Sequence, residues 1–281
     1  MTVASDLFYS SYASLYRLKS GWRPTKFIFI LSHMRSGSTL LTHLLATNPA
    51  ICGYGETRTR YFTRRHFGIL TGKVLYALRH DPLSGTKRHV LDKLLHNRFV
   101  GPAGARIFCG DDVKVVFLLR EPLGTLTSLL NHFRHTETRA ANYYLRRLDM
   151  LQKYGDELTP RTSCLALTYD QLLYRTDGVF RLLERFLELD CSLAETYRIL
   201  PTTGLIRIGD PSPKILSGKI VRDEPEAARM RISTETIETA RDRYERCLSQ
   251  LENACLTLDS ATERRDAGQP NARQFPQSSV E

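Results

Sequence analysis

Several signatures are missing from this 281-residue chain, and each absence excludes a class of protein. No apolar stretch approaches the ~20 residues that span a bilayer, and the N-terminal MTVASDLFYSSYASLYRLKSGWRP has no continuous hydrophobic segment of the secretory type. The expectation is a cytoplasmic protein with no membrane partner. The six cysteines (Cys52, Cys109, Cys164, Cys191, Cys247 and Cys255) form no C-x-x-C pair, and no His or Cys stands at zinc-ligand spacing. They read as reduced, packed thiols, and no metal is expected. There is no internal repeat and no compact nucleic-acid fold signature, so no nucleic-acid partner is expected either. What remains is a globular composition, 42% hydrophobic and 25% charged, long enough to bury a full core as one large domain or two small ones.

Charge is plentiful but unevenly placed. The chain carries a net +10, and ten Lys or Arg between Thr57 and Phe99 (Arg58, Arg60, Arg64, Arg65, Lys73, Arg79, Lys87, Arg88, Lys93 and Arg98) stand against Asp81 and Asp92, a local +8. That segment is either a solvated helical face or a surface turned toward an anionic ligand.

Apolar runs set the architecture. Phe27 to Leu31 is short and uninterrupted, as a strand buried on both faces of a parallel sheet requires. Leu40, Leu41, Leu44 and Leu45 then follow helical spacing until Asn48-Pro49. VKVVFLL (Val113 to Leu119) precedes the helix-like LGTLTSLLNHF, and SCLALTY (Ser163 to Tyr169) precedes DGVFRLLERFLEL. Strands alternating with helices predict an α/β three-layer sandwich with a central parallel sheet. Tyr61 to Leu78 and Thr86 to Phe99 both read as helical, the latter from the stripe Val90, Leu91, Leu94 and Leu95; Thr234 to Leu251 is a charge-laced helix. The expected organisation is a single domain over residues 1–258, with a helical insertion at about 57–99, and a polar, disordered tail over 259–281.

Between the first strand and its helix lies Ser32-His33-Met34-Arg35-Ser36-Gly37-Ser38-Thr39. Such a junction directs backbone N–H groups and the positive end of a helix dipole at one point, which favours phosphate. Gly37 permits close approach, and the Ser36, Ser38 and Thr39 hydroxyls add donors. A nucleotide kinase has lysine after this glycine, where this chain has Ser38. Arg35 brings charge from another direction, which suits one 5′ phosphoryl group better than a triphosphate with its metal. Arg120 ends the Val113 strand, Pro122 follows, and Ser128 lies eight residues beyond Arg120. An arginine and a hydroxyl at a helix start make a second phosphate site, and two sites on one nucleotide suggest a 3′,5′-bisphosphate. The structural alternatives are a salt bridge from Arg120 to Glu121 or Asp170, and a Ser128 that bonds its own backbone.

Over roughly Lys26 to Arg222 the chain resembles the sulfotransferases that use 3′-phosphoadenosine 5′-phosphosulfate (PAPS), in their bacterial and carbohydrate-type branch. Arg35-Ser36-Gly37-Ser38-Thr39 matches that family's 5′-phosphosulfate loop, and Arg120, Pro122 and Ser128 match its 3′-phosphate motif. Leu167-Thr168-Tyr169-Asp170-Gln171-Leu172 resembles its tyrosine-acid-leucine segment, and Gly209-Asp210-Pro211-Ser212-Pro213-Lys214 a late basic loop. The resemblance implies sulfuryl transfer from PAPS, as a substrate, to a hydroxyl or amine of a small-molecule metabolite or sugar, without a metal. It makes Arg35 the cation at the leaving oxygen and Glu56 the base. By the same analogy Lys214 and Arg207 would reach the 3′ phosphate or close over the nucleotide; independently of it, Trp22 and the tyrosines are either candidates to stack an adenine or core residues. Glu56 is the only acidic residue between Thr39 and Asp81, and pairing with Arg58 or Arg60 is its structural alternative. The histidine base of the cytosolic branch sits in a Lys-Thr-His segment that this chain lacks; His33, His43, His66 and His132 stay in reserve. The acceptor is expected to be polar or anionic, walled by Arg58, Arg60, Arg64 and Arg65. A P-loop-type small-molecule kinase is the competing function.

Overall fold

The computed structural model describes residues 3–21, 24, 26–79, 89–133, 135–158, 160–200, 202–204, 212–222 and 232–260. Helix α1 (Val3–Ser20) precedes β1 (Lys26–Ser32), α2 (Ser38–Thr47), β2 (Ile51–Cys52), α3 (His66–Ala77) and β3 (His89–Leu94). The chain continues through β4 (Val113–Leu119), α4 (Pro122–Phe133), α5 (Glu137–Glu157), β5 (Cys164–Thr168), α6 (Tyr169–Tyr174), α7 (Thr176–Leu187), α8 (Pro213–Leu216) and α9 (Thr234–Ala254).

The five strands form one sheet in the order β2-β3-β1-β4-β5, and every pairing is parallel. Successive side chains of a strand point to opposite faces, and β1 divides accordingly. Phe27, Phe29 and Leu31 enter a core with α3, α4, α5 and α9. Ile28 and Ile30 enter a second core with α2, α6 and α7. Burial on both faces is the reason β1, β4 and β5 read as near-continuous apolar runs, broken in β4 only by Lys114. Phe29 has its ring 4.4 Å from Phe108, 5.2 Å from Tyr61 and 5.3 Å from Phe67. Truncating it to alanine costs about 3–5 kcal/mol by the usual toll of an emptied aromatic site.

One expected helix is a strand. Thr86 to Phe99 was expected to be helical, but His89–Leu94 is β3, in parallel register with β1 from Lys26↔His89 to Leu31↔Leu94. Its spacing of apolar residues mimics a helix because two charges, Asp92 and Lys93, interrupt a buried strand. Both are retained by partners. Asp92 accepts from Thr57 N (2.9 Å), Thr57 Oγ1 (2.7 Å) and Tyr61 Oη (2.6 Å). Lys73 reaches the same knot, donating to Thr57 O and Thr59 Oγ1. The basic segment is therefore not one solvated helical face: Lys73 and Lys93 are buried within it. Residues 80–88 and the tail from 261 lie outside the described residues.

Helix α2 packs on one face of the sheet and α4 on the other, so the loops after β1 and β4 diverge. Divergent loops open a crevice at the carboxyl ends of adjacent parallel strands, where ligands of open α/β sheets bind. Among the described residues, no helix is long and apolar enough to cross a membrane.

Candidate phosphate-binding site

The loop between β1 and α2 is built as an anion cradle. Arg35 and Gly37 have left-handed backbone, with φ of 66° and 89°, on either side of Ser36, whose φ is not positive. This alternation turns successive N–H groups inward, the geometry called a nest. Arg35 holds a conformation that non-glycine residues rarely adopt, a strain typical of functional loops. Gly37 is required twice over. A Cβ there would lie 2.3 Å from the Tyr169 ring, in addition to the positive φ.

Ser36 has a different task from the one its hydroxyl suggested. Its Oγ is buried, contacts Ser32 Oγ and accepts from Ser38 N at 3.3 Å, while Ser32 Oγ donates to Leu118 O. That chain ties the loop to the end of β4 and commits the Ser36 hydroxyl to the protein itself.

Both arginines singled out in the sequence converge on this loop. Arg35 Nε donates to Ser128 Oγ at 2.8 Å, and Arg120 Nη1 donates to Arg35 O at 3.2 Å. The Arg120 guanidinium lies over the Tyr169 ring, 4.5 Å from its centroid. Tyr169 thus supports Gly37 and Arg120 together, and Thr168 holds it there through a capping box with Gln171. Ser128 sits in the middle of α4, not at its start, and its hydroxyl serves Arg35 across 93 residues of sequence.

Lys93 is the residue that sequence reasoning missed. On β3 it points to the same face as Leu91, toward α2, and its Nζ donates to Thr39 Oγ1 at 2.8 Å. The available signal was a Lys beside an Asp inside VLDKLL. Asp92 faces the other way, into the knot that holds Thr57. The half-buried Glu56 is fixed one residue before that knot. Burial raises its carboxyl above the usual range; Lys93, then Arg58 and Arg98, act against this, and Asp92 adds to it.

The other expected positions divide by location. His33 is fully buried and bridges the two loops: Arg120 N donates to its Nε2 at 3.1 Å, and its Nδ1 meets Met34 O at 3.0 Å. Burial, opposed by the Met34 hydrogen bond and assisted by Arg147 and Arg120, lowers its pKa to about 3, so the ring is neutral. His43 bonds Thr39 O and Thr203 Oγ1, and His66 turns to Thr63. His132 is exposed in the last turn of α4. Arg64 is paired with Asp112, just before the amino end of β4 and hence at the end of the sheet opposite the crevice, which removes it from the acceptor wall. Lys214 lies on α8, whose carbonyls accept from Tyr197, and the Tyr197 ring packs on His43 of α2. Arg207, Gly209 to Pro211 and Trp22 lie outside the described residues.

Buried Arg147 also went unforeseen in the sequence. Its guanidinium donates to Ser32 O, Leu94 O and Asn97 Oδ1, at 2.7–2.8 Å, tying the ends of β1 and β3 together beneath the site.

No protein-family model matches this sequence, and neither does any curated protein. Solved structures do match. A sulfotransferase domain from the curacin biosynthetic pathway superposes with a TM-score of 0.52 at 17% identity, covering 82% of this chain and 98% of that one. A sulfotransferase domain from the Synechococcus PCC 7002 olefin synthase gives 0.51 at 19% identity, covering 79% and 95%. At such identities the likeness is one of fold: this chain has an α/β, P-loop-like fold similar to that of sulfotransferase domains.

Proposed function

We propose that this protein is a PAPS-dependent sulfotransferase, a single catalytic domain over residues 1–258 that acts in the cytoplasm on a polar small molecule or sugar. The observation that carries the reading is the convergence of Arg35, Lys93 and Arg120 on one nest at the carboxyl ends of β1, β3 and β4, with the Glu56 carboxylate beside Lys93. A kinase offers the hydroxyl corresponding to Thr39 to magnesium. Here an ammonium group occupies that hydroxyl, which supplies fixed positive charge from the protein and suits a donor with a single 5′ phosphoryl group.

Bound there, the donor provides a sulfuryl group on its 5′ phosphate. The loop N–H groups, Ser38, Thr39 and Lys93 bind that phosphate, and Arg35 stabilises the charge that develops on the leaving oxygen. Arg120 and Ser128 hold the 3′ phosphate, and Lys214 borders the nucleotide. Glu56 takes the proton of the acceptor hydroxyl or amine as the new S–O or S–N bond forms and the S–O bond to phosphate breaks, releasing adenosine 3′,5′-bisphosphate. The raised carboxyl of Glu56 makes it a stronger base than an exposed glutamate. Transfer of radiolabelled sulfate from PAPS to a mixture of hydroxylated and amine-bearing metabolites, in the presence of a chelator, tests this reading. Labelled product is expected; phosphate transfer from ATP, dependent on magnesium, with no labelled product is the contrary result.

A further inference from the structure

A cleft of about 560 Å³ opens between α5 and the segment after β3, lined among others by His96, Asn97, Arg139, Asn142, Tyr143 and Arg146. Positions 139, 142, 143 and 146 recur at the three- and four-residue spacing that puts side chains on one helical face. None of the described residues lining the cleft is acidic. The carboxylates of α5 are engaged elsewhere. Glu137 accepts from Ser233 and Thr236, Asp149 pairs with Arg243, and Asp156 accepts from Gln250. Arg147, in the cleft floor, directs its N–H groups to Ser32, Leu94 and Asn97. That leaves Arg139 and Arg146 as exposed guanidiniums on a wall without negative charge.

Tyr143 joins the cleft to the middle of the phosphate loop. The Tyr143 hydroxyl accepts from Met34 N at 2.7 Å, one residue before Arg35, and donates to Leu95 O at 2.8 Å, two residues after Lys93. Burial raises this hydroxyl above its usual range, and the Glu56 carboxylate is close enough to add to the effect. The His96 ring packs edge-on against Tyr143, 5.8 Å between centroids. Tyr143 thus stands between this cleft and the loop that carries Arg35.

We propose that this cleft binds the acceptor, and that the acceptor is an organic anion whose carboxylate, sulfate or phosphate is held by Arg139 and Arg146 while its hydroxyl or amine extends past Tyr143 toward Glu56. The inference rests on the sulfotransferase reading for the word acceptor; anion binding in the cleft stands apart from it. Planar guanidinium groups suit such oxyanions because they can bond two oxygens at once. It also moves acceptor recognition away from Arg64, which is committed to Asp112.

The test is calorimetric. With adenosine 3′,5′-bisphosphate saturating the donor site, p-nitrophenyl sulfate and neutral p-nitrobenzyl alcohol are titrated into wild type, the double variant Arg139→Gln/Arg146→Gln, and Arg181→Gln as an exposed-charge control on α7. The double variant is expected to bind the sulfate probe about tenfold or more weakly, with nucleotide affinity and the neutral probe unchanged and the control like wild type. Equal binding of the sulfate probe by the double variant, an equal loss in the control, or no binding by wild type at millimolar probe overturns the proposal. If the bisphosphate itself fails to bind wild type, the sulfotransferase reading falls and the acceptor role with it; the probe titrated alone then decides whether the cleft is an anion site.

Discussion

The Lys93 ammonium donates to the Thr39 hydroxyl at 2.8 Å, so a cation from the middle of the sheet stands at the first turn of α2, beside the phosphate loop. If that charge stabilises the departing phosphate, Lys93→Met should lower the turnover of sulfuryl transfer by about 10²-fold. Steady-state rates with and without a chelator check both halves of the claim. Restoration of the variant by magnesium would point to a metal-dependent site.

Glu56 makes a prediction in pH. If Glu56 is the base, catalysis needs its carboxylate, which burial makes harder to form, so the rate should begin to fall on the acid side at a pH above the 4.5 of an ordinary glutamate. Glu56→Gln should remove about 10²–10⁴ of the rate together with that acid limb. Lys93 acts to lower the Glu56 pKa, so in Lys93→Met the residual limb should move to higher pH. Profiles of turnover against pH for the three proteins decide this. An unmoved limb would assign the titration to another group.

Gly37→Ala should abolish nucleotide binding and destabilise the fold. The left-handed φ alone costs about 1–2 kcal/mol, and the new methyl would overlap the Tyr169 ring at 2.3 Å. Adding Tyr169→Ala should relieve the overlap but not the backbone strain, giving partial recovery in urea denaturation. Full recovery would mean that the φ at this position is easily given up.

His33 should make stability depend on acid. Unfolded, it binds a proton below about pH 6.5; folded, it stays neutral down to about 3. The unfolded state therefore holds more protons throughout that window, and stability, full above the upper value, is lost as pH falls toward the lower. Between pH 7 and pH 5 the loss is about 2 kcal/mol. Urea unfolding at the two pH values should show this loss in wild type and not in His33→Gln, whose amide oxygen can still accept from Arg120 N.

Legibility of the sequence tracked how simply each residue is satisfied. The strands β1, β4 and β5 announce themselves because both faces meet apolar helices. Motif spacing pairs Ser128 with Arg120, whereas in the fold its hydroxyl accepts from Arg35 Nε, a contact across 93 residues that no spacing announces. Strand β3 was read as a helix, because Asp92 and Lys93 contradict a buried strand until Thr57, Tyr61 and Thr39 are brought to them from elsewhere in the chain. The same long-range partners hid Lys93 and Arg147, whose roles exist only in the folded sheet. Glu56 could be picked out from its isolation among basic residues, but its neighbours became visible only with β3 in place.

Whether the loop holds a 3′,5′-bisphosphate nucleotide is decided by calorimetric titration of adenosine 3′,5′-bisphosphate, without magnesium, into wild type and Arg120→Ala. Wild type should bind it, at least tenfold more weakly, about 1.4 kcal/mol, once the arginine is removed, and likewise more weakly when the ligand lacks its 3′ phosphate. Failure of wild type to bind, alongside magnesium-dependent binding of ATP, would contradict the sulfotransferase reading.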